Sequence, residues 1–120
     1  MSPLDYTTES LVSFAQGTSY ALLPATTVHQ CKRRVIDTMA SALGAFDHPV
    51  SKMARAFALR ATSRCPASIW GTRDKVTLEG AAFANGVMVR LLDISDTYLG
   101  LSRGHPSDMI SGIIAIAESI

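Results

Sequence analysis

Between Thr77 and Asp93 the sequence reads TLEGAAFANGVMVRLLD, a helical pattern with two glycines inside it. Gly80 and Gly86 each cost about 1 kcal/mol relative to alanine in a helix interior, and Ala84 adds a third small side chain. Such a segment holds its helix only if tertiary packing offsets the loss, and small residues let a neighbouring helix come close. Thr77 suits the N-cap. Ala81, Ala82, Asn85, Val89 and Leu92 fall on one side. A chain built around this segment is constrained toward helices packed tightly on helices.

The remaining periodicity agrees. Leu11, Phe14 and Ala15 are helically spaced in TTESLVSFAQG, which Gly17 ends. A second helix starts at Pro24, a favourable first-turn residue, carries Val28, Cys31, Val35, Met39 and Leu43 as its apolar stripe, and ends at Gly44. Lys32, Arg33 and Arg34 make its solvated face. A third, opened by Pro49 in HPVSKMARAFALRA, points Met53, Phe57 and Ala61 inward. The stretch TSRCPASIWGTRDKV has no helical period and reads as a loop with a short strand at 68–70. A last helix, HPSDMISGIIAIAESI, runs through Ile110, Ile113, Ile114 and Ala117, and its pattern continues to Ile120 with no closing cap. The expected fold is a single all-α helical bundle over residues 1–120, cut short at its last helix.

Composition excludes several classes. With 48% hydrophobic and 18% charged residues, disorder is not expected. Eleven basic against ten acidic side chains, without a basic stripe interleaved with aromatics, argue against nucleic acid as a partner. No run of 18 apolar residues predicts a membrane span. The N-terminus MSPLDYTTES has neither a secretory pattern nor an Arg-rich transit pattern, so the cytosol is the expected compartment, with a mitochondrial location left for a eukaryotic source. Cys31 and Cys65 are read as two buried free thiols. They are too few to ligate a [4Fe–4S] cluster, so lyase chemistry here would be side-chain acid–base work with no cofactor.

The chemistry-bearing stretch is RLLDISDTYLGLSRGHPSD, residues 90–108. If the fourth helix runs through Asp93, then Asp93, Asp96 and Thr97 stand at i, i+3 and i+4 on one face. The plainer reading is that Asp96 or Thr97 satisfies backbone groups around a helix end. His105 precedes Pro106, which suits a first helical position. This sets His105 near the N-cap, where free N–H groups point outward and a carboxylate can bind, and where a neutral imidazole can accept a proton. Ser107 and Asp108 lie in the first turn. Two carboxylates and an imidazole, Asp93, Asp96 and His105, could also hold a divalent ion, but their spacing matches no strong metal motif and no metal is expected. His29 and His48 read as structural or exposed.

The segments GAAFANGVMVRLLDISDTYL, GHPSD and GIIAIAE, together with VIDTMASALGA and IWGT, resemble the N-terminal helical domain of the MmgE/PrpD family. The resemblance covers almost the whole chain and is most specific from Ala81 to Asp108. It implies a helical domain paired with a smaller α/β domain, a homodimer at full length, and no iron–sulfur cluster. Members dehydrate 2-methylcitrate, decarboxylate cis-aconitate or epimerise iminodisuccinate, and dehydration to 2-methyl-cis-aconitate, a step of propionate breakdown, is the reading taken first. It places Asp93, Thr97 and His105 in the active site as catalytic residues, with Asp96 inside the same motif. Asp96, Arg103 and Ser107 are read as binding the small polycarboxylate, with Arg90 a weaker candidate for adding positive charge; for both arginines a surface salt bridge is the plainer reading. The departure from the family is length: its members are several times longer, so this chain is expected to hold part of a site and to be inactive alone. The rival reading is a non-catalytic helical module that binds a partner through an exposed apolar face.

Overall fold

The computed structural model describes residues 5–120, which divide into two compact units, one reaching to Lys32 and one running from Arg33 to Ile120. Among the described residues there are five α-helices, α1 (Tyr6–Gly17), α2 (Ala25–Gly44), α3 (Pro49–Ala58), α4 (Leu78–Leu91) and α5 (Ser107–Ala117), with a 3-10 turn at Tyr20–Leu22. Two small antiparallel pairs interrupt them: β1 (Ala67–Ser68) with β2 (Lys75–Val76), and β3 (Tyr98–Leu99) with β4 (Arg103–Gly104). The architecture is mostly helical, as expected. No helix of the described residues is long and apolar enough to cross a membrane.

In the first unit, Asp5 caps α1 by accepting from the Thr8 amide at 3.0 Å and the Thr8 hydroxyl at 2.7 Å. These bonds hold the Asp5 carboxyl below its ordinary value. The helix buries none of its residues, and Leu11 and Phe14, the helically spaced apolar residues, are exposed. The Pro24 carbonyl accepts from Val28, one residue ahead of the first residue of α2.

The second unit is organised on α4. Thr77 caps it through the Gly80 amide at 3.1 Å. A Cβ on Gly80 would lie 3.4 Å from the Ala58 Cβ of α3, and one on Gly86 would lie 3.3 Å from the Ser111 hydroxyl of α5. The two glycines therefore mark where the neighbouring helices cross α4, as the sequence implied. Ala81, Ala84, Met88 and Val89 form the core with Ala58, Ala115, Ile69, Trp70 and Val76.

Close approach also decides which faces turn inward. The third helix buries Ser51, Ala54 and Ala58, while Met53 and Phe57, expected in the core, are exposed. In α5 the buried residues are Ser107, Ser111 and Ala115, with Ile110 and Ile114 packed beside them, whereas Ile113 and Ala117 face outward. In α2 they are Thr38, Ser41 and Ala42, and Leu43 is exposed. Where α3 and α5 pack on α4, large side chains do not fit between axes brought this near. Both cysteines, expected to be buried, are exposed.

The loop after α3 is locked from α4 and α5. Asn85, almost fully buried, accepts from the Trp70 amide at 2.9 Å and donates to the Ser68 carbonyl at 2.9 Å. Gly71 turns with φ +81°, and a Cβ there would meet the Phe46 ring at 2.8 Å. The Glu118 carboxylate takes the Ser68 amide at 2.6 Å and lies 3.5 Å from the Lys75 ammonium.

Asn85→Ala would leave a buried donor, the Trp70 amide, and a part-buried acceptor, the Ser68 carbonyl, without their partner. It should lower stability by about 3 kcal/mol, seen as a lower urea midpoint with unchanged slope. Partial burial pushes the Glu118 carboxyl up, but Ser68 hydrogen bonding and the Lys75 charge outweigh it and hold it below its ordinary value. A depressed carboxylate stabilises the fold above its unfolded value and loses that contribution as pH falls through the folded one. The stability gap between the wild type and Glu118→Gln should therefore close on acidification; a gap constant with pH would exclude the ion pair.

Candidate active site

The site is the corner between α4 and α5. The fourth helix ends earlier than its pattern suggested, at Leu91, with Leu92 as C-cap. Asp93 takes the left-handed conformation, φ +51°, the position after a C-cap that glycine or asparagine usually fills. Asp93, Asp96 and Thr97 therefore do not share a helix face, which corrects that reading. Asp93 is exposed, and its Oδ1 accepts from Arg90 Nη2 at 3.0 Å. The same guanidinium donates to the Ser95 hydroxyl at 2.7 Å and lies 3.4 Å from Asp108. Arg90 thus ties the end of α4, the turn and the first turn of α5 together, a clamp the sequence left as a weak candidate for substrate charge.

Asp96 lies inside the corner, its side chain 2% exposed. Its Oδ1 accepts the Ser107 amide at 3.0 Å, and its Oδ2 has no hydrogen bond and stands 3.8 Å from Arg34 Nη1. The other first amides of α5 are taken locally, Asp108 by the His105 carbonyl and Met109 by the Pro106 carbonyl. The N-terminus of α5 thus already carries a carboxylate, that of Asp96, and the expectation that its amides hold a substrate carboxylate is corrected. The Ser107 side chain is buried, and its hydroxyl has no partner. Asp96 and Ser107, read as substrate contacts, are packed into the corner rather than turned toward solvent.

His105 is half-buried, and its Nδ1 lies 2.6 Å from the Asp96 carbonyl oxygen. A carbonyl only accepts, so Nδ1 carries a proton, and in the neutral ring the lone pair is on Nε2. Asp96, and not Asp93, orients this ring. His48, which stands before Pro49 as His105 stands before Pro106, behaves differently: its Nδ1 accepts from the Val50 amide at 3.2 Å and caps α3.

Thr97 is exposed just before the β3–β4 pair, where Tyr98 stands opposite Gly104 and Leu99 opposite Arg103. Arg103 is exposed and its side chain makes no ion pair with the described residues. This hairpin, read only as a loop, sets Thr97 and His105 on its two flanks, while Asp93 stays on the turn before it. Asp93 turns to Arg90 and Asp96 to Ser107. Among the described residues no three His, Cys, Asp or Glu side chains gather as metal ligands would.

Residues 9–120 match the family described as MmgE/PrpD N-terminal domain. The chain belongs to the MmgE/PrpD family. It is 35% identical over 97 residues to the 2-methylcitrate dehydratase of Salmonella typhimurium, an alignment covering 77% of this chain and 19% of that protein. With the 2-methylcitrate dehydratase of Cupriavidus necator it shares 32% over 104 residues, 86% of this chain and 22% of the relative. With the human cis-aconitate decarboxylase it shares 26% over 115 residues, 94% and 24%. The chain spans about a fifth of the length of these relatives. The MmgE/PrpD match takes in the whole corner, from α4 through α5.

The left-handed turn makes Asp93 testable apart from the fold. Glycine adopts this φ freely, whereas alanine pays a steric cost of about 1–2 kcal/mol. Asp93→Ala should be less stable than Asp93→Gly by about that amount in denaturant titrations. Equal stabilities would mean that the residue does not hold this conformation.

Proposed function

We propose that this chain is the N-terminal part of a hydro-lyase that removes water from 2-methylcitrate to give 2-methyl-cis-aconitate by side-chain acid–base catalysis. The observation that carries the reading is the state of His105: Nδ1–H is spent on a backbone carbonyl and Nε2 is left as a base, on a corner that also exposes Asp93, Thr97 and Arg103. Elimination needs a base for the C–H proton, an acid for the departing hydroxyl and donors for charge growing on the adjacent carboxylate. In this reading His105 Nε2 takes the carbon-bound proton, and the imidazolium so formed returns it to the departing hydroxyl as the C–O bond breaks, so that water leaves and the double bond forms. Asp93 and Thr97 hold the hydroxyl and a neighbouring oxygen, and Arg103 meets a carboxylate. Its support from relatives is the shared identity with two bacterial proteins named 2-methylcitrate dehydratase. Decarboxylation of cis-aconitate is the nearer alternative, given the weaker likeness to the human enzyme.

A second reading, a non-catalytic helical module, is favoured by one feature. An apolar cleft between α3 and α4 is lined by Val50, Met53, Phe57, Phe83 and Val87, with Phe57 and Phe83 edge to face at 5.6 Å. Patches of this kind serve as interaction surfaces.

The deciding experiment gives 2-methylcitrate, citrate and cis-aconitate to the full-length protein, following the new double bond by ultraviolet absorbance and released carbon dioxide separately. Dehydration of 2-methylcitrate is expected. His105→Ala should lower turnover at least ~10²-fold with thermal stability close to wild type. Undiminished turnover would remove His105 from the chemistry, and a protein inert to all three compounds would leave the interaction module standing.

A further inference from the structure

Asp96 makes the two bonds that decide what His105 can do. Its carboxylate Oδ1 accepts the Ser107 amide at 3.0 Å, and its own backbone carbonyl takes Nδ1–H of His105 at 2.6 Å. The two partners flank Pro106, so one residue pins both sides of the proline that opens α5. Burial of the side chain to 2% exposure excludes direct contact with a solute, and Arg34 at 3.8 Å together with the helix amide offsets the burial of its charge. The other histidine–proline pair shows what happens without such a residue. His48 caps its own helix, so its Nδ1 accepts, the proton sits on Nε2, and the ring's basic nitrogen is consumed.

We infer that Asp96 is the positioning residue of His105: by capping α5 from eleven positions upstream, it releases the imidazole from that duty and holds it with Nδ1 protonated and Nε2 as the base. This rests on the reading of His105 as the proton-transfer residue, but the tautomer is measurable without it. The proposal also reassigns Asp96 from touching substrate to acting through His105.

The test is long-range nitrogen-15 NMR of the histidine rings in the full chain, for wild type, Asp96→Ala and Asp96→Asn. Wild type should show the Nδ1–H tautomer at His105 and the Nε2–H tautomer at His48. Asp96→Ala should move His105 toward Nε2–H while His48 is unchanged, which also reports that the fold survives. Asp96→Asn keeps an amide oxygen for the Ser107 N–H and should retain the wild-type tautomer, which makes it the readable variant if the alanine form does not fold. Turnover should follow the tautomer. Asp96→Ala should lose at least ~10-fold in kcat with KM nearly unchanged, and Asp96→Asn should recover most of it. A wild-type Nε2–H tautomer, or an Nδ1–H tautomer untouched in Asp96→Ala, or one lost in Asp96→Asn, would overturn the proposal. If the tautomers behave as stated while His105→Ala leaves turnover intact, the positioning role holds and the catalytic reading of His105 fails.

Discussion

The closeness of α5 to α4 is the constraint on which the corner depends. Where Gly86 faces Ser111, a methyl group would already lie 3.3 Å from the serine oxygen. A larger residue at that crossing would push the start of α5 away from the end of α4. The Asp96–Ser107 hydrogen bond and the Arg90–Asp108 ion pair both span that gap, at 3.0 and 3.4 Å. Gly86 therefore does more than tolerate packing. Its conformational cost of about 1 kcal/mol is spent on bringing the start of α5 to the end of α4.

The paired histidine–proline dipeptides show how little of such a site lies in a motif. His48 and His105 have the same following residue, both stand at the start of a helix, and their rings nevertheless carry the proton on opposite nitrogens. What differs is the residue that meets the first amides. For α3 the amide of Val50 bonds to the His48 ring, whereas for α5 a buried aspartate from the preceding turn takes the Ser107 amide. A cap supplied from a distance is thus a way of freeing a histidine ring from capping its own helix.

This also explains what the sequence disclosed and what it hid. Helix positions were legible because apolar spacing and capping residues such as Thr77 act within a few residues. The inward faces were misjudged in α3 and α5 because large apolar side chains were taken to mark the core, and here alanine and serine mark it: Ala54, Ala58, Ser107 and Ser111 are buried while Met53, Phe57 and Ile113 are not. The corner was found from Asp93, Asp96, Thr97 and His105 together. Their division into exposed and buried was not legible, since it turns on a left-handed aspartate at the end of α4 and on a hydrogen bond across eleven residues. Arg90 was undervalued because its three partners converge only once the turn has formed.

Charge sets the last step of the functional argument. Citrate-like substrates carry three carboxylates, and each must find a cation or a set of donors if it is to leave water. At this corner Arg90 already faces two acidic groups and Arg34 faces Asp96, which leaves Arg103 as the cation without an acidic partner among the described residues. The helix N-terminus that might have helped is occupied by Asp96. Under the dehydratase reading, then, the corner supplies proton transfer, hydroxyl recognition and one cation, Arg103, and recognition of the remaining carboxylates draws on basic groups outside this domain. A chain that spans about a fifth of its relatives' length has ample room in those relatives for them. The division of labour also predicts the character of the site. Under that reading, a base whose ring is oriented by a rigid backbone carbonyl stands in this domain, while further cations that grip the substrate come from outside it.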